Sequence, residues 1–170
     1  MNDNIIKQNI INYDKVIKIM LIGNKNSGKS LFSQKILNNN GEIKETQFLE
    51  IKKKVVEINT ENVMLELWDS NEDFINSSLI NIYYKIANAF VIIVDNNSDF
   101  NFIIKQINLI KTIKNAQILL IFNNKNNNDL FNIQKYKELN HYDNIIFNLV
   151  NLYEININNN FIQDFLSKLL

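Results

Sequence analysis

Residues 23–30 read Gly23-Asn24-Lys25-Asn26-Ser27-Gly28-Lys29-Ser30. The apolar run Val16-Ile17-Lys18-Ile19-Met20-Leu21-Ile22 precedes them, and Leu31-Phe32-Ser33-Gln34-Lys35-Ile36-Leu37 follows with helical spacing. A strand, a G-x-x-x-x-G-K-S turn and a helix in direct succession leave few folds open. Each position has a physical task. Gly23 and Gly28 permit a tight path that turns backbone N–H groups inward around an anion. Lys29 places a point charge on outer phosphates, Ser30 offers a hydroxyl to Mg²⁺, and Asn24, Lys25, Asn26, Ser27 and Leu31 contribute the intervening backbone. The helix then points its positive end at the same anion. Composition strengthens the reading. The chain has only three Gly and no Pro, so two of its glycines lie in this one loop.

The 170 residues suit a single domain with a sizeable core. Eighteen basic and eighteen acidic residues cancel, which argues against nucleic acid as a partner. Lys52-Lys53-Lys54 reads as the solvated part of a strand. Cys is absent, which excludes disulfides, thiolate catalysis and sulfur-based zinc sites. No apolar run approaches the length of a membrane span and no signal peptide is visible, so a cytoplasmic protein is expected. Asn-rich stretches such as 38–40 and 126–128 take the place of the Gly and Pro that ordinarily mark turns.

Residues 1–14 read as an N-terminal extension and 15–170 as the folded domain. Strands are expected at 15–22, 48–58, 63–68, 89–94, 117–122 and 144–150. Helices are expected at 29–38, 100–114 and 159–170, with a loop and a helix-like stretch across 70–87 and a helix-like stretch at 129–139. Glu61-Asn62 marks a turn between the second and third strands. That connection is too short for a crossover and implies an antiparallel hairpin. The alternation elsewhere predicts a doubly wound α/β sheet, six-stranded and mostly parallel, with helices on both faces.

Asp69 ends the third strand, where a carboxylate near a phosphate loop is placed to support Mg²⁺. Thr46 offers a further ligand for the metal. With Trp68-Asp69, Tyr83-Tyr84-Lys85, Ala87, Asp95 and Asn124-Lys125, these residues give a chain that resembles the Ras-like small GTPases, and within them the Rab branch, from about residue 15 onward. The resemblance implies the P-loop small-GTPase fold, GTP/GDP and Mg²⁺ as cofactors, and a protein effector or scaffold docking on residues 39–51 and 69–84. It implies metal contacts from Ser30, Thr46 and Asp69, and base contacts from Asn124, Lys125 and Asn127, the N-K-x-D positions. Ile51, Trp68 and Tyr83 match a surface triad for effectors; the alternative is sheet packing for Ile51 and Trp68 and helix packing for Tyr83.

Departures from the family pattern are informative. The glycine of D-x-x-G is Glu72, an anion facing an anionic phosphate. The water-orienting Gln position is Asp73, shorter and charged. The last N-K-x-D position is Asn127, where an amide offers guanine one acceptor in place of two. Asp129, two residues on, would compensate only through a loop shift. The Ser-Ala-Lys position reads Asn151-Leu152-Tyr153. Lys25 either reaches the phosphates as an extra cation or is solvated at the rim. No catalytic residue stands out beyond Asp73 and Glu72, and His141 reads as an exposed turn residue. The prenylated Cys of the family has no counterpart, so direct lipid anchoring is not expected and membrane attachment would run through a partner. Two functions remain: a divergent nucleotide switch, monomeric or part of a complex, acting in vesicle trafficking with slow or absent GTP hydrolysis, or a pseudo-GTPase adaptor with a fixed nucleotide or none. A P-loop kinase or ATPase would need a lid rich in Arg, and the chain has none.

Overall fold

The computed structural model describes residues 12–39, 41–124, 139 and 144–170. Six strands form one sheet: β1 (Lys15–Ile22), β2 (Leu49–Ile58), β3 (Glu61–Ser70), β4 (Ala89–Val94), β5 (Gln117–Asn123) and β6 (Ile145–Val150). Their order is β2-β3-β1-β4-β5-β6. Every neighbouring pair is parallel except β2–β3, which is antiparallel with Leu49 opposite Ser70 and Ile58 opposite Glu61. The expected six-stranded α/β sheet with one hairpin is therefore present.

The hairpin turn falls on Asn59-Thr60, ahead of the expected Glu61-Asn62. Asn59 has φ 47° and Thr60 has φ 72°. Two successive left-handed residues match the twist of the flanking strands. A β-branched Thr in that region is unfavourable, and the ten-residue ladder on either side imposes it.

Helices α1 (Lys29–Ile36), α2 (Glu72–Ile75), α3 (Ile80–Ile86), α4 (Phe100–Ile113) and α5 (Asn160–Ser167) cover the sheet. The loop and helix-like stretch expected across 70–87 hold two short helices, α2 and α3. Asn76 closes α2, and Ser77 Oγ donates to the Phe74 carbonyl at 2.7 Å, drawing the chain out of the helix. Likewise α1 stops at Ile36 because Asn38 turns left-handed (φ 49°). The expected helix-like stretch 129–139 lies outside the described residues, Leu139 excepted.

Alternation along buried β4 divides the core. Phe90, Ile92 and Val94 face one cluster with Phe74, Tyr84 and Ile107. Ala89, Val91 and Ile93 face the other with Phe32, Ile36 and Phe165. Every β4 residue is buried, as a central parallel strand requires. Both faces carry helices, so the loops after the strands' C-terminal ends are left to build a site.

Candidate functional site

The loops after β1, β3 and β6 and the end of β5 at Asn123 meet at that edge around a cavity of about 600 Å³, and residues 43–46 close one side. The loop after β1 carries the G-x-x-x-x-G-K-S sequence, the expected phosphate loop. Gly28 has φ 112°, a region open to glycine, and a Cβ there would come within 2.5 Å of Leu152 Cδ1. A Cβ on Gly23 would lie 2.4 Å from the Ile93 carbonyl oxygen. Asn26 takes φ 63°, which Asn tolerates better than most residues. Gly28 begins α1 with no side-chain cap, and the helix has no acidic residue in its first turn. No side chain of the helix itself caps or neutralises its positive end, which opens on the cavity.

Lys29 Nζ donates to the carbonyls of Gly23 (2.8 Å) and Asn24 (2.9 Å), so its ammonium lies across the inside of the loop. Burial pushes it below the ordinary lysine value, against the upward pull of Asp69, Glu72 and Asp95. Ser30 and Leu31 line the cavity. Ser27 is fully buried, and its Oγ has no hydrogen-bond partner among the described residues.

The metal-ligand positions converge. Thr46 Oγ1 donates to Asp69 Oδ2 at 3.1 Å. Asp69 is fully buried, and its Oδ1 is unpartnered among the described residues. A buried carboxylate oxygen with an open lone pair, a threonine hydroxyl and Ser30 on the cavity wall form an oxygen set suited to Mg²⁺. Among the described residues no group of three or more His, Cys, Asp or Glu could hold a metal without other ligands. Phosphate oxygens and water would therefore complete the shell.

Glu72 and Lys25 sit at the rim. Glu72 Oε1 accepts from the Lys25 backbone N–H at 2.6 Å and from Asn24 Nδ2 at 3.2 Å. Lys25 Nζ turns the other way, to Glu45 at 2.6 Å. The hydrogen bond and charge of Glu45 raise the Lys25 pKa, and Glu72 and Asp73 add to this. The pair is mostly exposed and therefore weak in salt. Asp73 lines the cavity beside Glu72.

Sequence reasoning missed Asn123. It is buried, and its Nδ2 donates to the Ser27 carbonyl at 2.9 Å, tying the end of β5 to the phosphate loop. The expected residue, Asn124, donates its N–H to the Val150 carbonyl, and its Oδ1 is buried without a partner among the described residues. The signal lies in the sheet register, which sets Asn123 opposite Val150. Lys125, Asn127, Asp129 and His141 lie outside the described residues. Leu152 is fully buried beneath Gly28, whereas Tyr153 is exposed on the cavity wall.

For Trp68 and Tyr83 the packing alternative holds. Trp68 is 3% exposed and packs edge-on against Tyr83 at 5.6 Å, which in turn meets Phe74 at 4.8 Å. Trp68 is core, its Nε1 donating to Glu66. Of the three, Ile51 alone is exposed.

The sequence profile of the family described as Ras of Complex, Roc, domain of DAPkinase matches residues 18–127. The chain belongs to this family of Ras-like domains. The Ras-like domain is also similar to Rab proteins. It is 29% identical to Ras-related protein RabY of Dictyostelium discoideum over 96 residues, 53% of this chain and 40% of that protein. It is 29% identical to human Ras-related protein Rab-3A over 118 residues, 66% and 54% of the two chains. It is 31% identical to Ras-related protein SEC4 of Saccharomyces cerevisiae over 119 residues, 65% and 54%. The Ras-like domain thus spans about half the length of the curated relatives it matches. Among the described residues no helix is long and apolar enough to cross a membrane.

Proposed function

We propose that this chain is a guanine-nucleotide-binding switch of Rab-like character, with slow or absent GTP hydrolysis. The observation that carries this reading is the phosphate loop, with Lys29 folded across it and an uncapped helix end behind it. GTP or GDP would lie along residues 23–31. Mg²⁺, which would neutralise phosphate charge, would be held from Ser30, Thr46 and Asp69. Asp73 is anionic and shorter than the Gln it replaces, which disfavours positioning a water for attack.

The segments around the cavity are joined in a way that suits a switch. Asn71 N–H donates to the Phe48 carbonyl at 3.0 Å, its side chain donates to the Gln47 carbonyl, and Thr46 bonds Asp69. Displacing one segment therefore breaks bonds to the other, so residues 39–51 and 69–84 would present one coupled surface to an effector or scaffold. The Rab likeness carries the role in vesicle trafficking, in the cytoplasm or on a membrane through a partner.

Counting N-K-x-D from Asn123 would put Asn124 at the lysine position and Asn126 at the carboxylate position, whereas counting from Asn124 gives Lys125 and Asn127. The missing carboxylate, with Glu72 and Asp73, favours the second reading, a pseudo-GTPase adaptor with a fixed nucleotide. Thermal melting with and without GDP and Mg²⁺ tests nucleotide binding. The wild type is expected to melt higher with nucleotide, and Lys29→Ala to lose that gain. A wild type whose melting ignores added nucleotide would contradict both readings that require binding.

A further inference from the structure

We infer that Glu72 supplies an internal anion at the outer end of the phosphate site, so that the domain selects a nucleoside diphosphate over a triphosphate. This rests on the reading that the cavity takes a nucleotide. The inner end of the loop is the α1 terminus at Gly28–Ser30, free of capping side chains. The outer end is Asn24–Lys25, where the Lys25 N–H points at the cavity rim. A phosphate chain that starts at the helix approaches that N–H as it lengthens. Glu72 Oε1 already holds it at 2.6 Å and takes a second bond from Asn24 Nδ2 at 3.2 Å.

The carboxylate is not a loose surface group. Its backbone begins α2, whose cap Asn71 accepts from the Phe74 N–H at 2.8 Å. Asn24 is fixed on its far side, accepting from the Asp99 N–H at 3.2 Å. The charge balance of the cavity agrees. Its wall carries the carboxylates of Glu45, Asp69, Glu72 and Asp73 against three lysines, and Lys25 is already paired with Glu45. A further phosphate would have to break a charge-assisted bond and expel or face a carboxylate, whereas a diphosphate leaves the contact intact. The same contact holds residues 69–75 against the phosphate loop with no third phosphate present.

Equilibrium binding of fluorescent GDP and of a non-hydrolysable GTP analogue, both with Mg²⁺, tests this on the full chain. The wild type should prefer GDP by about tenfold or more. Glu72→Gly should bring the two affinities within about threefold, mainly by tightening the triphosphate analogue. Glu72→Gln keeps the shape and an acceptor but removes the charge. It should fall between the other two, and it carries the test if the glycine variant does not fold. Tight GDP binding with no preference in the wild type, or a preference unchanged in both variants, overturns the inference and leaves the nucleotide reading standing. Binding of neither nucleotide to the wild type overturns both.

Discussion

Replacing Asn123 by Ala removes the buried donor that joins β5 to the Ser27 carbonyl and leaves that carbonyl without it. The expected cost is about 1–3 kcal/mol in urea denaturation. Asn124→Ala should cost less, because Asn124 Oδ1 is already unpartnered among the described residues. Equal losses would mean that the tie to the phosphate loop is energetically unimportant. The same register predicts the base chemistry. Asn126→Asp should restore two acceptors for guanine and raise affinity for GDP over other diphosphates, while Asn127→Asp should not. Competition with IDP and ADP measures this, and the reverse outcome would put the motif back on Asn124. The phosphate loop was legible from sequence because its chemistry is local: eight consecutive residues carry it. Asn123, and the bond from the Lys25 N–H to Glu72, were not. Each joins residues far apart in sequence, and their pairing depends on register and on how α2 begins.

Among the elements, β1, β4 and β5 were read almost to the residue, because continuous apolar runs bounded by polar turns have few alternatives. Across 70–87 the sequence indicates a loop and a helix-like stretch without marking the boundary of two helices, because the break comes from side chains competing for backbone groups. In α3, Tyr84 is fully buried against Phe90, and its hydroxyl donates to Gln106 Oε1 of α4 at 2.8 Å. Tyr84→Phe strands that acceptor and should cost about 1–3 kcal/mol at neutral pH. Burial pushes the Tyr84 phenol far up, so the fold favours its neutral form. Unfolded tyrosine ionises near about pH 10. The contribution is therefore complete below that pH and is lost as pH rises above it. The stability gap between wild type and Tyr84→Phe, from urea titrations, should narrow between pH 7 and about pH 10.5. A constant gap would show that Tyr84 does not titrate with unfolding.

For the whole molecule, the sheet order places β1 between β3 and β4, and the chain leaves β1 to opposite sides in turn. The cavity opens beside that reversal, where an α/β sheet leaves a crevice at its C-terminal edge. Carboxylates and lysines nearly balance on its wall, so a bound polyanion would have to be held by backbone N–H groups, Lys29 and a metal in place of a broad basic surface. The nucleotide carried through purification tests this. Freshly purified protein is denatured, and the released small molecules are separated by chromatography and weighed. Close to one equivalent of guanine nucleotide, as GDP, is expected. GTP in that position would leave nucleotide binding intact but contradict the diphosphate preference assigned to Glu72. A protein released empty, and still empty after incubation with GDP, GTP, XTP or ATP and Mg²⁺, would contradict nucleotide binding altogether.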